Sequence, residues 1–172
     1  MSTEGKVVSA DEAREAVRAM TKRVALLHMC YARTLVDELG VKSGTELIKK
    51  AIWAYGTLIG ERIREKVGAL NLATTPDNFT RGSDLSPIGF DSQKEFINGE
   101  QRSRVYGCAL AEIWQEYGEQ ELGDLYCLVD PAKMQAYNPK WTLTHLKKVL
   151  DGEECCELAI RPMMNNTEHE TD

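Results

Sequence analysis

No stretch of this 172-residue chain approaches the roughly 18 uninterrupted apolar residues of a bilayer crossing, so no membrane span is expected. The opening residues lack the apolar core of a secretory signal, which makes the cytoplasm the expected location. An excess of basic charge is missing too: Lys and Arg number 21 against 27 Asp and Glu, a net charge of −6. That balance argues against phosphate-backbone binding, and nucleic acid is not an expected partner. The sequence holds no C-x-x-C pair, no Walker loop, no dinucleotide fingerprint and no H-E-x-x-H. Neither a structural zinc site nor a bound cofactor is therefore expected. Five cysteines, an odd number without an export signal, read as reduced thiols rather than a disulfide framework.

What is present divides unevenly. Ser9-Ala10-Asp11-Glu12 is a capping box, and Val17, Met20, Val24, Leu27, Tyr31 and Leu35 follow at the spacing of one buried helical face. Gly40 ends that pattern. Ser43 to Glu46 repeats the capping box before a stripe of Ile48, Ala51, Ile52, Tyr55, Ile59 and Ile63. Two long helices joined by a short turn predict an antiparallel hairpin. Gly56 and Gly60 suit close packing of the second helix against the first.

Residues 69–100 lose periodicity and carry Pro76, Gly82, Pro87 and Gly89, as a loop-rich connection would. Residues 102–107 read as a strand leading into a third helix. Residues 122–137 are ambiguous, with Pro131 opening a helical piece capped by Asp130. Asp151-Gly152 is a hairpin signal between strands at 141–150 and 155–161. The fold class expected is α+β: a helical hairpin, then a small antiparallel sheet with helices on one face. Residues 1–162 form one domain in this reading (scaffold 9–68, connection 69–100, motif-bearing segment 101–162), and 163–172 an acidic tail.

The chemistry concentrates between Cys108 and Arg161, which hold four of the five cysteines. Cys108 follows Gly107 at the start of a helix, where the dipole and unpaired amides favour thiolate; the plainer reading is a small buried side chain at a turn. Cys127 lies in the apolar run LYCLV, as packing or at a pocket lip. Cys155 and Cys156 point to opposite strand faces, Cys156 sharing its face with Leu158 and Ile160. Asp130 reads as an acid/base group or a helix cap, and His145 as a packing residue or proton carrier. Glu112 and Glu116 read as solvated, and His28 with Cys30 does not make a metal site. Arg104 and Arg161 are candidates for a bidentate fork on a substrate carboxylate, or for pairing with Glu157. Tyr137 packs beneath an Asn138-Pro139 turn.

The pattern C-x5-W-x3-G-x3-LG-x-LYC-x2-D, then YNP, then LDG-x3-CE with a closing arginine, resembles the L-2-amino-thiazoline-4-carboxylic acid hydrolase family over residues 106–161. Its positions are Cys108, Trp114, Gly118, Leu122, Gly123, Tyr126, Cys127, Asp130, Tyr137, Asn138, Pro139, Gly152, Cys156 and Arg161. Ala109 stands where the family often has proline, and the Glu153-Glu154 approach to Cys155 also departs from it. The same C-terminal pattern is similar to small-molecule-binding domains of the 4-vinyl reductase type. The resemblance implies a small-molecule substrate and hydrolytic opening of a five-membered cyclic amidine. It implies Cys108 or Cys127 as nucleophile, or else water activated by a carboxylate or His145, with Asp130 as acid/base partner and Arg104, Tyr126, Tyr137, Asn138, His145, Cys156 and Arg161 around the substrate. A non-catalytic binding or sensor domain is the alternative function. A scaffold dimerising through its long helices is the third, so a homodimer stays open.

Overall fold

The computed structural model describes residues 7–83 and 85–163, so most of the expected acidic tail lies outside the described residues. Helix α1 (Ala10–Ala69) opens on the expected capping box: the Glu12 amide donates to Ser9 Oγ at 3.2 Å, and the Ser9 amide donates to Glu12 Oε2 at 2.9 Å. Gly40, at φ 76° and ψ 159°, breaks α1 into two arms. The arms fold back on each other, since Ala32 of the first shares a buried cluster with Ile48 and Ile52 of the second. The second capping box does not form; Glu46 instead pairs with Lys49 at 3.0 Å.

The buried face of the first arm differs from the expected stripe. Ala25, His28, Met29 and Ala32 point inward, while Met20, Leu27 and Tyr31 are 60%, 58% and 67% exposed. Small side chains let neighbours approach: Trp114 packs on Ala25 and donates its indole N–H to the Ala25 carbonyl at 3.1 Å. That closeness outweighs the larger apolar area of the residues left outside. The Gly56 and Gly60 pair likewise meets a different partner. A methyl group at Gly56 would stand 2.7 Å from the Ala132 Cβ, and one at Gly60 would run into the Lys133 carbonyl oxygen. Their bare backbone therefore receives helix α4 (Val129–Tyr137) rather than the first arm.

The connection contains short 3-10 turns at Pro76–Gly82 and Pro87–Gly89, then an unexpected strand β1 (Asp91–Ile97). Asn98 and Gly99, both at positive φ, close a hairpin onto β2 (Glu100–Tyr106). Helices α2 (Ala109–Glu116) and α3 (Gln120–Asp124) and a 3-10 turn at Leu125–Leu128 lead into α4. Asp130 is inside the first turn of α4, after Leu128 at the cap position, and its side chain does not cap the helix. Pro131 is tolerated there because first-turn amides have no intrahelical acceptor. Strands β3 (Trp141–Lys147) and β4 (Cys156–Pro162) complete an antiparallel sheet of order β1-β2-β4-β3. They are joined through a 3-10 turn, Val149–Asp151, and Gly152 at φ 89°, a longer link than a two-residue hairpin. The fold is α+β, with α1 and α4 packed on one face of the sheet: Ile63, Phe79, Met134 and Tyr137 form a core against Leu143 and Ile160. Among the described residues no helix is long and apolar enough to cross a membrane.

Candidate active site

Strand alternation sorts β4 into two chemistries. Cys156, Leu158 and Ile160 face the helices and line a cavity of about 990 Å³ between them and the sheet. Glu157 and Arg161 take the opposite parity. Cys108, Tyr126, Cys127, Asp130, Lys133 and His145 line the same cavity, so α2, α4, the turn before α4, and β3 all converge on it.

At its polar end His145 Nε2 is 2.7 Å from Asp130 Oδ2, and Lys133 Nζ is 2.6 Å from Asp130 Oδ1. Burial alone would raise the Asp130 carboxyl, but the Lys133 ammonium and the His145 hydrogen bond outweigh it and hold the group well below the usual carboxylate range. An ionised carboxylate only accepts, so Nε2 carries the hydrogen and donates. In that tautomer Nδ1 is the acceptor nitrogen.

The thiols behave differently from the expectation for Cys108. Desolvation pushes the Cys108 thiol up, and the nearby amides of Ala111 and Leu110 only partly offset it. Burial likewise raises Cys127 and Cys156, and the Asp130 charge pushes all three further. Each of Cys127 and Cys156 also feels Cys108, which puts the three sulfurs in one electrostatic neighbourhood. At neutral pH these are protonated thiols. Burial also raises the Tyr126 hydroxyl, with Tyr55 adding to it. Tyr126 packs edge-on against His28, whose Nε2 lies 2.9 Å from the Leu122 carbonyl.

Several residues expected at the site are placed elsewhere. Arg104 does not line the cavity; it binds Glu95 at 3.1 Å and Glu157 at 3.2 Å on the opposite face of the sheet. Glu157, only 2% exposed, also accepts from Arg102 at 2.5 Å. Arg161 reaches the cavity rim, but its guanidinium is engaged by Glu100 at 2.6 Å. Tyr137 is buried against Phe79 and donates its hydroxyl to the Thr75 carbonyl at 2.9 Å. Asn138 donates to the Thr74 carbonyl at 2.6 Å and accepts from the Lys140 amide at 3.0 Å. Both clamp the connection onto the turn after α4 instead of lining the cavity. Cys155 is buried, Cys30 is exposed, and Glu112 is held by Arg18 and Lys22 at 2.5 and 2.8 Å.

Lys133 was not anticipated. Its signal was present in the spacing: a lysine three residues after Asp130 shares its helical face. Among the described residues no group of three or more His, Cys, Asp and Glu side chains is arranged to hold a metal ion. The arrangement thus offers an oriented imidazole, a fixed carboxylate, an ammonium and three protonated thiols inside one desolvated cavity. It is suited to nucleophilic or water-activating chemistry on a small polar centre.

No curated protein and no solved structure matches the chain. The family model for L-2-amino-thiazoline-4-carboxylic acid hydrolase, however, matches residues 17–160, which take in most of both arms of α1, the sheet up to Ile160 and Cys108, Cys127, Asp130, Lys133, His145 and Cys156. The chain belongs to the L-2-amino-thiazoline-4-carboxylic acid hydrolase family.

Proposed function

We propose that this protein hydrolyses a five-membered cyclic amidine of the 2-amino-thiazoline-4-carboxylate kind, attacking the ring carbon between sulfur and two nitrogens. The observation that carries this reading is the Asp130–His145 pair in a cavity shared with Cys108, Cys127 and Cys156. A buried, protonated thiol needs a base, and an imidazole whose other nitrogen is tied to a carboxylate is the usual one.

In the reaction His145 Nδ1 takes the proton of Cys108, and the sulfur adds to the ring carbon. The ring carbon–sulfur bond then breaks, and the departing sulfur takes the proton back from His145. The resulting isothiourea on Cys108 is attacked by water. His145 again takes a proton and returns it to the Cys108 sulfur as that bond breaks. The product is N-carbamoyl-cysteine, the substrate plus one water. Asp130 stays ionised throughout and orients His145, so its role is to position and stabilise rather than to donate protons. Arg104 is turned away from the cavity; of the cations that line it (Arg62, Lys94, Lys133, Lys148 and Arg161), Lys133 stands beside Asp130 and His145 and is the one we assign to the substrate carboxylate, which would share it with Asp130. Cys127 is the second candidate nucleophile.

The test is incubation with cyclic amidines, mass-spectrometric detection of a product heavier by one water, and intact-protein mass to find the trapped adduct. Loss of turnover and adduct in Cys108→Ser is the expected result. Full activity in both Cys108→Ala and Cys127→Ala removes the thiol pathway and leaves water activated by His145. The elevated thiols also favour a second reading, a non-catalytic binding domain. Ligand binding without turnover across the panel would establish it.

A further inference from the structure

The cavity is far larger than the ring it is proposed to open. A 2-amino-thiazoline-4-carboxylate has about nine non-hydrogen atoms and fills roughly 150 Å³, about five waters at ~30 Å³ each. The cavity measures about 990 Å³. The extra space is not uniform in character. Along β4 the inward side chains step from Cys156 through Leu158 to Ile160, about 13 Å at ~3.3 Å per residue. The sheet register sets His145 opposite Leu158 and Leu143 opposite Ile160. Acid–base groups and thiols therefore gather near His145 and Cys156, while Ile59, Ile63, Phe79, Leu143 and Ile160 supply an apolar wall beyond them, with Arg62, Asp77 and Lys94 also lining the cavity. Such an apolar volume left to water costs free energy, so it is built to be filled.

We infer, building on the ring-opening reading, that the natural substrate is a cyclic amidine carrying an apolar substituent of roughly four to six carbons, the length of two strand residues at ~3.3 Å each. The substituent lies along the Leu158–Ile160 corridor while the ring sits at Asp130, His145 and Cys108. The Glu100–Arg161 pair stands at the rim beyond it.

The test uses the full chain and a series of 2-(alkylamino)-thiazoline-4-carboxylates with unbranched chains from none to twelve carbons. Turnover to the alkylcarbamoyl-cysteine and the shift in melting temperature are both followed. The expected result is a kcat/KM rising about three- to fourfold per methylene until the corridor is full, then levelling. Ile160→Trp should move that break to shorter chains; the wild-type series decides the matter if this variant does not fold. A kcat/KM that is highest for the bare ring and falls with chain length overturns the inference while leaving ring hydrolysis intact. Melting temperatures that climb with chain length without turnover support the apolar ligand and overturn the hydrolase reading. Turnover and melting temperature both flat along the series overturn the inference.

Discussion

Gly56 and Gly60 are the places where a single methyl group tests the fold and the site together. At Gly56 the added carbon would lie 2.7 Å from the Ala132 Cβ and 2.8 Å from the Val129 carbonyl oxygen. Carbon atoms pack at about 3.5–4.0 Å, so α4 would have to retreat by about 1 Å. Overpacking of that kind costs roughly 1–3 kcal/mol, and replacing a helical glycine by alanine returns about 1 kcal/mol of intrinsic propensity. The net for Gly56→Ala is a loss of about 0–2 kcal/mol. Gly60→Ala belongs at the upper end, since the Lys133 carbonyl oxygen stands much closer to the added carbon than any atom does at Gly56. At ~2–4 °C per kcal/mol for a chain of this size, that is a fall in Tm of about 4–8 °C. Urea titration with an unchanged m-value would confirm that the folded state is what changed.

The same displacement would reach the chemistry. Asp130 and Lys133 both belong to α4, and the 2.7 Å contact to His145 crosses from α4 to β3. A misplacement of about 1 Å in a catalytic pair costs on the order of a hundredfold in rate. Turnover in Gly60→Ala should fall by that order in the fraction that remains folded. A Gly60→Ala protein that melts higher and turns over normally would refute the close approach of α1 and α4, because propensity alone would then account for the result.

Asp130→Asn should lower kcat by about 10²–10⁴-fold, because an amide neither fixes the His145 tautomer nor offsets an imidazolium; rates near wild type would assign Asp130 to Lys133 and stability alone. Iodoacetamide labelling of the substrate-free protein should find Cys108, Cys127 and Cys156 slow below about pH 8.5, the free-thiol value, as burial and Asp130 disfavour their thiolates. Fast labelling of Cys108 at neutral pH would contradict that ordering. Burial also lowers the His28 pKa, the Leu122 carbonyl only partly opposing it. The unfolded chain therefore binds the proton first: stability is full above about pH 6.5 and declines below it by at most ~1.4 kcal/mol per unit until the folded pKa is passed. His28→Gln should flatten that slope, measured by urea melts from pH 7.5 to 5; an unchanged slope would place the proton linkage elsewhere.

How much of this was legible depends on what each signal measures. The Ser9 capping box, the Gly40 break and the strands around Cys156 follow from local rules, and they form. Hydrophobic periodicity pointed to Met20, Leu27 and Tyr31, but Ala25 and Ala32 went inside because close packing favours small residues that a hydropathy count scores low. Strand β1 was hidden by its polar side chains, although Asn98-Gly99 announces its hairpin. At the site, alternation placed Cys156 beside Leu158 correctly. It could not show that Arg104 lies on the far side of the sheet with Glu157, since the choice of face belongs to the sheet as a whole. Tyr137 and Asn138 stood beside motif residues in the chain yet serve the connection through Thr75 and Thr74.

The electrostatics of the polar end set the constraint any mechanism must meet. Asp130 is held ionised among three thiols, so it opposes the very thiolate that the proposed attack on the ring requires. In the proposed mechanism the same carboxylate, 2.7 Å from Nε2, fixes the His145 ring and lies beside the imidazolium formed when a thiol proton moves to Nδ1. Proton transfer therefore adds an imidazolium and a thiolate to the existing Asp130–Lys133 ion pair, with the imidazolium between the two anions. That arrangement is tolerable in a desolvated cavity, whereas a thiolate formed without the imidazolium would face Asp130 directly. Arrival of the proposed substrate as a protonated amidine would add a further positive charge beside the thiolate. Burial and Asp130 keep the resting thiols protonated, hence poorly reactive towards oxidants, and in the proposed mechanism the nucleophile would form only with the substrate in place.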